Sequence, residues 1–221
     1  MIIGRFRIFR EHKYIFDIFS NLIQKTARAD FNDANLVNNI RNDIEALSSL
    51  HDAHSAHEDG RISDLLIKKN SKLSEKIKLD HSKHKKKFEE ILSFIDKIIE
   101  EKDITIKFDL AHILYLDLRH LFAELLIHLD YEERVIMKEL QNICNDEEIK
   151  SIDHASYQQM LPEHIIHMME TLIPHFNNHD IQVFLEDIYS AEKEKFITAW
   201  PDLKKLLDKD QIIYFEGKLS K

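Results

Sequence analysis

The stretch that decides the fold is LYLDLRHLFAELLIHLDYEERVI, residues 114–136. Its leucines recur at spacings of three and four residues, which predicts one apolar face of a long α-helix. These leucines are Leu114, Leu118, Leu121 and Leu125. The same face continues through His128 and Glu132, so an imidazole and a carboxylate interrupt the apolar stripe. Because a lone ionisable group is costly to bury, both side chains are expected to have a partner inside the protein.

Three earlier segments have the same helical spacing of apolar residues, which predicts four long helices in the first two thirds of the chain. The predicted helices run from near Arg5 to Arg28, from a cap at Asn32 or Asp33 to about Leu66, from Asn70 or Ser71 to about Glu100, and from about Thr105 to Asn142. Short connections make sequential helices antiparallel. We therefore expect an all-α protein in which residues 1–145 form an up-down-up-down four-helix bundle.

The remaining residues have a different character. Residues 146–221 contain shorter apolar segments, separated by Pro162, Pro174 and Pro201. We expect this part of the chain to be a C-terminal extension of shorter helices packed on the bundle. The whole chain has only three glycines and three prolines, which also favours long helices over a sheet with many turns.

Composition excludes several classes of function. The formal net charge of -9 argues against nucleic acid as a partner, because phosphate binding needs a surplus of basic residues. The basic run at Lys83 and 85–87 is interpreted as the solvated face of a helix. No stretch has the roughly 18 apolar residues that span a bilayer, so no membrane partner is expected. A single cysteine, Cys144, and the lack of a signal-peptide pattern favour a cytoplasmic protein.

Six polar side chains lie within the predicted apolar stripes: His12, His54, Glu58, His81, His128 and Glu132. The second and fourth helices each carry a His-x-x-x-Glu pair, whose members lie one turn apart on one face. Counted from the predicted turns at a rise of about 1.5 Å per residue, all six lie at similar depth in the bundle. They are therefore predicted to converge on one site.

Four imidazoles and two carboxylates favour iron over the alternatives. Structural zinc takes four ligands, often thiolates, and calcium or magnesium prefers oxygen alone. Six side chains suit two ions, with the four histidines as terminal ligands and Glu58 and Glu132 as bridges. The surrounding Leu, Ile and Phe residues would leave an apolar pocket for dioxygen or another small diatomic ligand.

Four motifs resemble those of the hemerythrin-like, or HHE cation-binding, domains. They are Arg10-Glu11-His12, His54-Ser55-Ala56-His57-Glu58-Asp59, Asp80-His81 and His128-Leu129-Asp130-Tyr131-Glu132-Glu133-Arg134-Val135-Ile136. The resemblance implies a carboxylate-bridged di-iron centre, with reversible dioxygen binding, oxygen or redox sensing, or nitric oxide chemistry. The chain departs from hemerythrins proper, which have a second histidine where Lys85 stands and a longer His-to-Asp spacing at the end of the motif.

Several alternatives remain open at this point. The predicted function is a non-haem di-iron protein that binds dioxygen or a related molecule in sensing, storage or detoxification. The alternatives are a di-iron redox enzyme and an interaction module with a structural metal, and no protein partner is identified.

Among the other candidate side chains, three histidines are expected on the surface or beside the ligands rather than as ligands: His51, His57 and His84. Glu133 is an alternative metal ligand to Glu132, at a longer spacing from His128. His112 and His120 are expected off the inner face, and a second metal site at His175 and His179 is disfavoured because Asn177 and Asn178 should break the helix.

Overall fold

The computed structural model describes residues 1–220, and all regular secondary structure in that range is helical, as predicted. The first six helices are α1 His12–Arg28, α2 Ala34–His57, α3 Ser63–Lys68, α4 Ser74–Glu100, α5 Ile104–Tyr131 and α6 Met137–Ile143. Five more follow: α7 Asp146–Tyr157, α8 Pro162–Leu172, α9 Asn178–Ala191, α10 Lys193–Leu203 and α11 Lys209–Leu219. No helix within residues 1–220 combines the length and apolarity needed to cross a membrane.

Two π-helical turns interrupt otherwise continuous helices. The first, π1, covers Glu58–Ile62 and joins α2 to α3, and the second, π2, covers Glu132–Ile136 and joins α5 to α6. Each of these two runs, α2–π1–α3 and α5–π2–α6, is therefore an α-helix with one wide turn inserted near its end.

Capping side chains set where two of the long helices begin. The Asp33 carboxylate accepts hydrogen bonds from the first backbone N–H groups of α2, at 2.9 and 3.2 Å. Asp103 does the same for α5, at 2.8 and 3.1 Å. These bonds satisfy N–H groups that have no partner within the helix. The predicted cap at Asp33 is confirmed.

The chain divides into two compact units. Unit 1 consists of Ile15–Glu139 and Met1, and unit 2 consists of Ile2–Tyr14 together with the chain from Leu140 onward. The boundary near the N-terminus falls inside α1. Residues 2–14 thus group with the C-terminal part of the chain, although the sequence analysis assigned them to the first domain. Lys221, the last residue of the predicted extension, lies outside the described residues.

The core of unit 1 is built from α1, α2, α4 and α5. Phe19, Ile40, Ile44, Phe88 and Leu114 are fully enclosed in it. Helix α4 packs against both α2 and α5. Burying an aliphatic or aromatic side chain of this size stabilises the fold by about 1.5–3 kcal/mol. The core therefore fixes the relative positions of α2, α4 and α5, which carry three of the six predicted ligands, while the turns π1 and π2 that follow α2 and α5 carry two more.

Unit 2 has a separate core formed by α7 to α11. Ile165, Leu185, Phe196, Leu203 and Phe215 are fully buried there. Pro162 occupies the first turn of α8, where a missing N–H costs nothing. Asn177 caps α9 through its side chain, so the chain does break between His175 and His179 as predicted.

The N-terminal segment differs from the prediction. Helix α1 begins at His12 rather than near Arg5. Gly4 and Phe9 have positive φ angles of 81° and 71°, which no α-helix contains. The Arg5 guanidinium instead bonds to the Asp146 carboxylate at 2.7 Å and to the carbonyl of Cys144 at 2.8 Å. These bonds hold the segment in an irregular conformation within unit 2.

Candidate metal centre

Both predicted His-x-x-x-Glu pairs form as expected on their helices. His54 lies in the last turn of α2, with its Nε2 atom 3.4 Å from Oε1 of Glu58. His128 lies in the last turn of α5, with its Nε2 atom 2.9 Å from Oε1 of Glu132. In each pair the imidazole and the carboxylate point to the same side of the helix, because residues four apart are neighbours on its surface.

Each π-helical turn begins at the glutamate of one pair. The carbonyl of Glu58 accepts the N–H of Ser63, and the carbonyl of Glu132 accepts the N–H of Met137, so both bonds join residues five apart. Such wide turns are rare and occur frequently at functional sites. Sequence reasoning did not predict them, because helical periodicity barely changes when one residue is inserted near a helix end.

His81, from α4, brings the two glutamates together. Its Nε2 atom lies 3.1 Å from Oε2 of Glu58 and 3.7 Å from Oε1 of Glu132. The rings of His81 and His128 stand edge to face, with centroids 4.8 Å apart. Side chains from three separate helical runs therefore converge on one point.

Five of the six predicted ligands form two overlapping groups within unit 1. In one group, atoms of Glu58, His81, His128 and Glu132 all lie within 4.8 Å of one another. The same limit holds for atoms of His54, Glu58 and Glu132. Metal–ligand bonds of about 2.0–2.3 Å place two ligands of one ion up to about 4.5 Å apart, so either group could close around a metal ion. The two glutamates belong to both groups.

The sixth predicted ligand, His12, is the first residue of α1 and lies in unit 2. It is buried, with 2% of its surface exposed, and its ring stacks on Phe9 at a centroid distance of 5.0 Å. Its role as a ligand stays a prediction.

The site is almost completely shielded from solvent. Glu58 and Glu132 are 1% and 0% exposed, and His81 and His128 are 4% and 2% exposed. A carboxylate in such a place loses several kcal/mol of hydration, which nearby positive charge must offset. Positive charge from a protonated imidazole or from a bound metal ion would offset this cost.

In the metal-free protein, His81 supplies part of that positive charge. Burial lowers the pKa of its imidazole, but the carboxylates of Glu132 and Glu58 outweigh this effect and raise the pKa to about 10. A proton thus stays on His81 at neutral pH. A bound metal ion would take the place of this proton, so metal binding should release it.

Two further histidines, His51 and His84, lie beside this cluster. The structure buries both, with 5% and 4% of their surfaces exposed, so a surface position is excluded. The ring centroids of His51 and His81 are 6.1 Å apart, and those of His84 and His128 are 5.2 Å apart. Burial and the charges of neighbouring histidines lower the pKa of His51 to about 4 and that of His84 to about 3. Both rings are therefore neutral at pH 7.

The other histidines and Glu133 take more peripheral positions. His57 is half-buried, Glu133 is exposed, and neither belongs to the ligand groups found among the described residues. His112 and His120 are exposed, as predicted for residues off the inner face.

Sequence reasoning assigned no role to two aspartates near the cluster. Asp59 Oδ1 lies 3.0 Å from Nδ1 of His81. Asp80 Oδ2 lies 3.8 Å from Nδ1 of His128, which is too long for a hydrogen bond. The only signal in the sequence is adjacency, since each aspartate is next to a predicted ligand, and adjacent residues on an α-helix normally point about 100° apart.

Comparison with known proteins identifies no relative: no family model, no curated protein and no solved structure matches this chain.

Proposed function

We propose that this chain is a hemerythrin-like, non-haem di-iron protein that binds dioxygen or a related small molecule. The observation that carries the proposal is the sharing of Glu58 and Glu132 by both groups of clustered ligand atoms. A carboxylate has two oxygens, so one glutamate can bind two neighbouring ions. Two shared glutamates are the arrangement that a carboxylate-bridged pair of ions requires.

The position of each histidine supports two ions rather than one. His54 belongs to one group with the two glutamates, and His81 and His128 belong to the other group with the same glutamates. With His12 as a further predicted ligand, each ion would have two imidazoles and two bridging carboxylates. A single ion would leave some of these buried imidazoles without a role.

The donor set fits iron. Neutral imidazole suits iron, zinc, copper and nickel, whereas carboxylate alone suits magnesium, calcium or manganese. A mixed set of nitrogen and oxygen donors without thiolate is the type found in helical di-iron proteins. The proposed scaffold is the up-down-up-down four-helix bundle, with the site between α2, α4 and α5.

The surrounding residues have a clear physical role in this proposal. Phe88 is fully buried and contacts the His51 ring, with centroids 5.4 Å apart. His51, His84 and the apolar core exclude bulk water from the carboxylates. Bound iron would supply redox activity and an open position for a small ligand. Such a site would serve oxygen or redox sensing, storage or detoxification.

The first experiment is metal analysis of the full-length protein, purified without oxygen and loaded with Fe²⁺. We expect about two irons per chain and charge-transfer absorption in the near ultraviolet and visible after exposure to air. Glu58→Gln and Glu132→Gln should each bind less iron, because a bridging ligand is removed. His120→Ala changes an exposed histidine and should bind as much as the unaltered protein.

A protein that stays folded, as judged by circular dichroism, but takes up no iron would disprove the proposal. So would full loading of the Glu58→Gln and Glu132→Gln proteins. If iron binds, cycles of oxygen addition and removal separate two uses of the site: a reversible spectrum indicates a carrier or sensor, and steady oxygen consumption with a reductant indicates turnover.

A further inference from the structure

The imidazole of His81 is held at both of its nitrogens by neighbouring carboxylates. Asp59 Oδ1 lies 3.0 Å from Nδ1, and Glu58 Oε2 lies 3.1 Å from Nε2. Asp59 and Glu58 are consecutive residues, so one short segment contacts the ring at both of its nitrogens. His81 itself is 4% exposed, while the Asp59 side chain is 35% exposed.

The wide turn π1 explains how the carboxylates of two consecutive residues can both contact the His81 ring. On a regular α-helix, neighbouring side chains point about 100° apart. Glu58 and Asp59 are the first two residues of π1, where the carbonyl of Glu58 bonds to Ser63 instead of to a residue four positions on. The helix is therefore locally wider at the point where both carboxylates point towards α4.

A contact at Nδ1 decides which nitrogen of the ring can bind a metal. Neutral imidazole has one N–H and one lone pair, and a carboxylate acceptor beside Nδ1 holds the proton there. The lone pair then lies on Nε2, which faces Glu58 and Glu132. Carboxylates that orient a metal-binding histidine in this way commonly raise metal affinity 10- to 100-fold.

The other imidazoles near the site have weaker contacts of this kind. The Nδ1 atom of His128 is 3.8 Å from Asp80, and that of His51 is 3.6 Å from Asp52. Both distances are longer than a hydrogen bond between a nitrogen and an oxygen atom. Of His51, His81 and His128, His81 is thus the one whose orientation a carboxylate fixes by a hydrogen bond.

We propose that Asp59 is a positioning residue that fixes the tautomer and orientation of His81, and so sets the affinity of the site for the ion that His81 binds. This inference rests on the proposed function, since it assumes that Glu58, His81, His128 and Glu132 bind a metal. It adds a residue outside the ligand set and assigns the acidic residue that follows Glu58 a specific task.

The test is a Co²⁺ titration of the full-length protein, followed by the visible absorption of the bound ion, which reports coordination geometry. Asp59→Asn keeps the size of the side chain but can present an amide N–H to Nδ1, which favours the wrong tautomer. We expect Co²⁺ to bind about 10- to 100-fold more weakly to this variant. Asp59→Glu restores a carboxylate and should recover affinity towards that of the unaltered protein.

Asp80→Asn is the matched control, because it removes a negative charge near the cluster from a side chain that bonds to Lys76 and makes no hydrogen bond to a histidine of the cluster. Its affinity loss should be much smaller than that of Asp59→Asn. Equal losses in the two variants would show that charge, not contact, matters, and would overturn the inference. Circular dichroism and the thermal midpoint, measured without metal, establish that each variant is folded.

A second measurement reads the tautomer directly. In the Zn²⁺-loaded, ¹⁵N-labelled protein, long-range ¹H–¹⁵N correlation should show His81 with its proton on Nδ1, and Asp59→Asn should change this pattern. A loss of stability alone would not alter the tautomer. An unchanged pattern with unchanged Co²⁺ affinity would refute the role of Asp59 and leave the metal proposal standing. Failure of the unaltered protein to bind Co²⁺, Zn²⁺ or Fe²⁺ would instead refute the proposed function itself.

Discussion

The most deeply buried carboxylates of the two compact units lie beside different kinds of base. In unit 2, Asp180 is 1% exposed and lies among Arg7 at 3.8 Å, Arg10 at 3.7 Å and Lys13. In unit 1, Glu58 and Glu132 are equally buried but lie among imidazoles. The cost of removing a carboxylate from water is similar in both places. The two units differ in how that cost is offset.

This difference separates a structural ion-pair network from a candidate metal centre. Guanidinium and ammonium groups carry a permanent charge at neutral pH and offer no lone pair. They can neutralise a carboxylate but cannot share a metal with it. Imidazole can lose its proton and become a ligand. Carboxylates surrounded by permanent cations therefore indicate an ion-pair network, whereas carboxylates surrounded by imidazoles, as at Glu58 and Glu132, can form a metal site.

The largest expected effect is on the network in unit 2. Asp180→Ala leaves Arg10, whose pKa is already lowered by burial and by Arg7, in an enclosed site without its carboxylate. We expect a loss of about 3–5 kcal/mol in the free energy of unfolding, measured by urea denaturation. Iron stoichiometry of the protein that remains folded should not change. Asp210→Ala, at an exposed position, is the control, and a loss at Asp180 no greater than that of this control would contradict the comparison.

The next effect concerns metal-dependent stability in unit 1. A metal ion that binds only the folded protein adds about 2.7 kcal/mol at a concentration 100 times its dissociation constant. Glu132→Gln should remove most of this gain, because the shared carboxylate is lost. Glu133→Gln changes the adjacent, exposed residue of π2 and should keep the gain. The check is the difference in unfolding free energy with and without Fe²⁺ under anaerobic conditions; an equal gain in both variants would argue against Glu132 as a ligand.

The pH dependence of the metal-free protein follows from its neutral buried imidazoles. Burial and His81 lower the pKa of His51 to about 4, below its ordinary value of 6.5. The unfolded chain therefore binds a proton that the folded chain does not, between pH 6.5 and 4. The contribution of His51 to stability should be fully present above pH 6.5 and should fall by about 3 kcal/mol as the pH drops through this range.

His51→Leu should reduce this loss, and His120→Leu, at an exposed histidine, should not. The measurement is urea denaturation in the presence of a chelator at several pH values. A steeper loss in the His51→Leu protein than in the unaltered one would show that His51 is charged in the folded state.

Much of the helical arrangement of unit 1 could be predicted from the spacing of apolar residues. The stripes along α2, α4 and α5 indicated where His54, His81 and His128 would face, and Asp33 indicated where α2 begins. These features depend on local periodicity and capping, which a single sequence contains. The predicted bundle topology and the role of His12 stay predictions.

Other features depend on tertiary contacts that periodicity does not contain. His51 and His84 lie three residues from ligands, at the edge of the predicted stripes, and only the packing of α2 against α4 decides that they are buried. The irregular path of residues 2–11 depends on bonds from Arg5 to residues more than a hundred positions away. Asp59 contacts His81 at the start of π1, and the sequence has no residue preference from which such a turn could be predicted.

The smallest expected effect is at the surface of unit 1. Arg41 donates to Asp96 at 2.6 Å, and the two side chains are 30% and 50% exposed to solvent. Water and salt screen such a pair, so Arg41→Ala should cost less than about 1 kcal/mol and should not change iron binding. Urea denaturation at low and high salt is the check, since the small loss should shrink as salt increases. A loss as large as that of Asp180→Ala would mean that burial is not what distinguishes the two ion-pair sites.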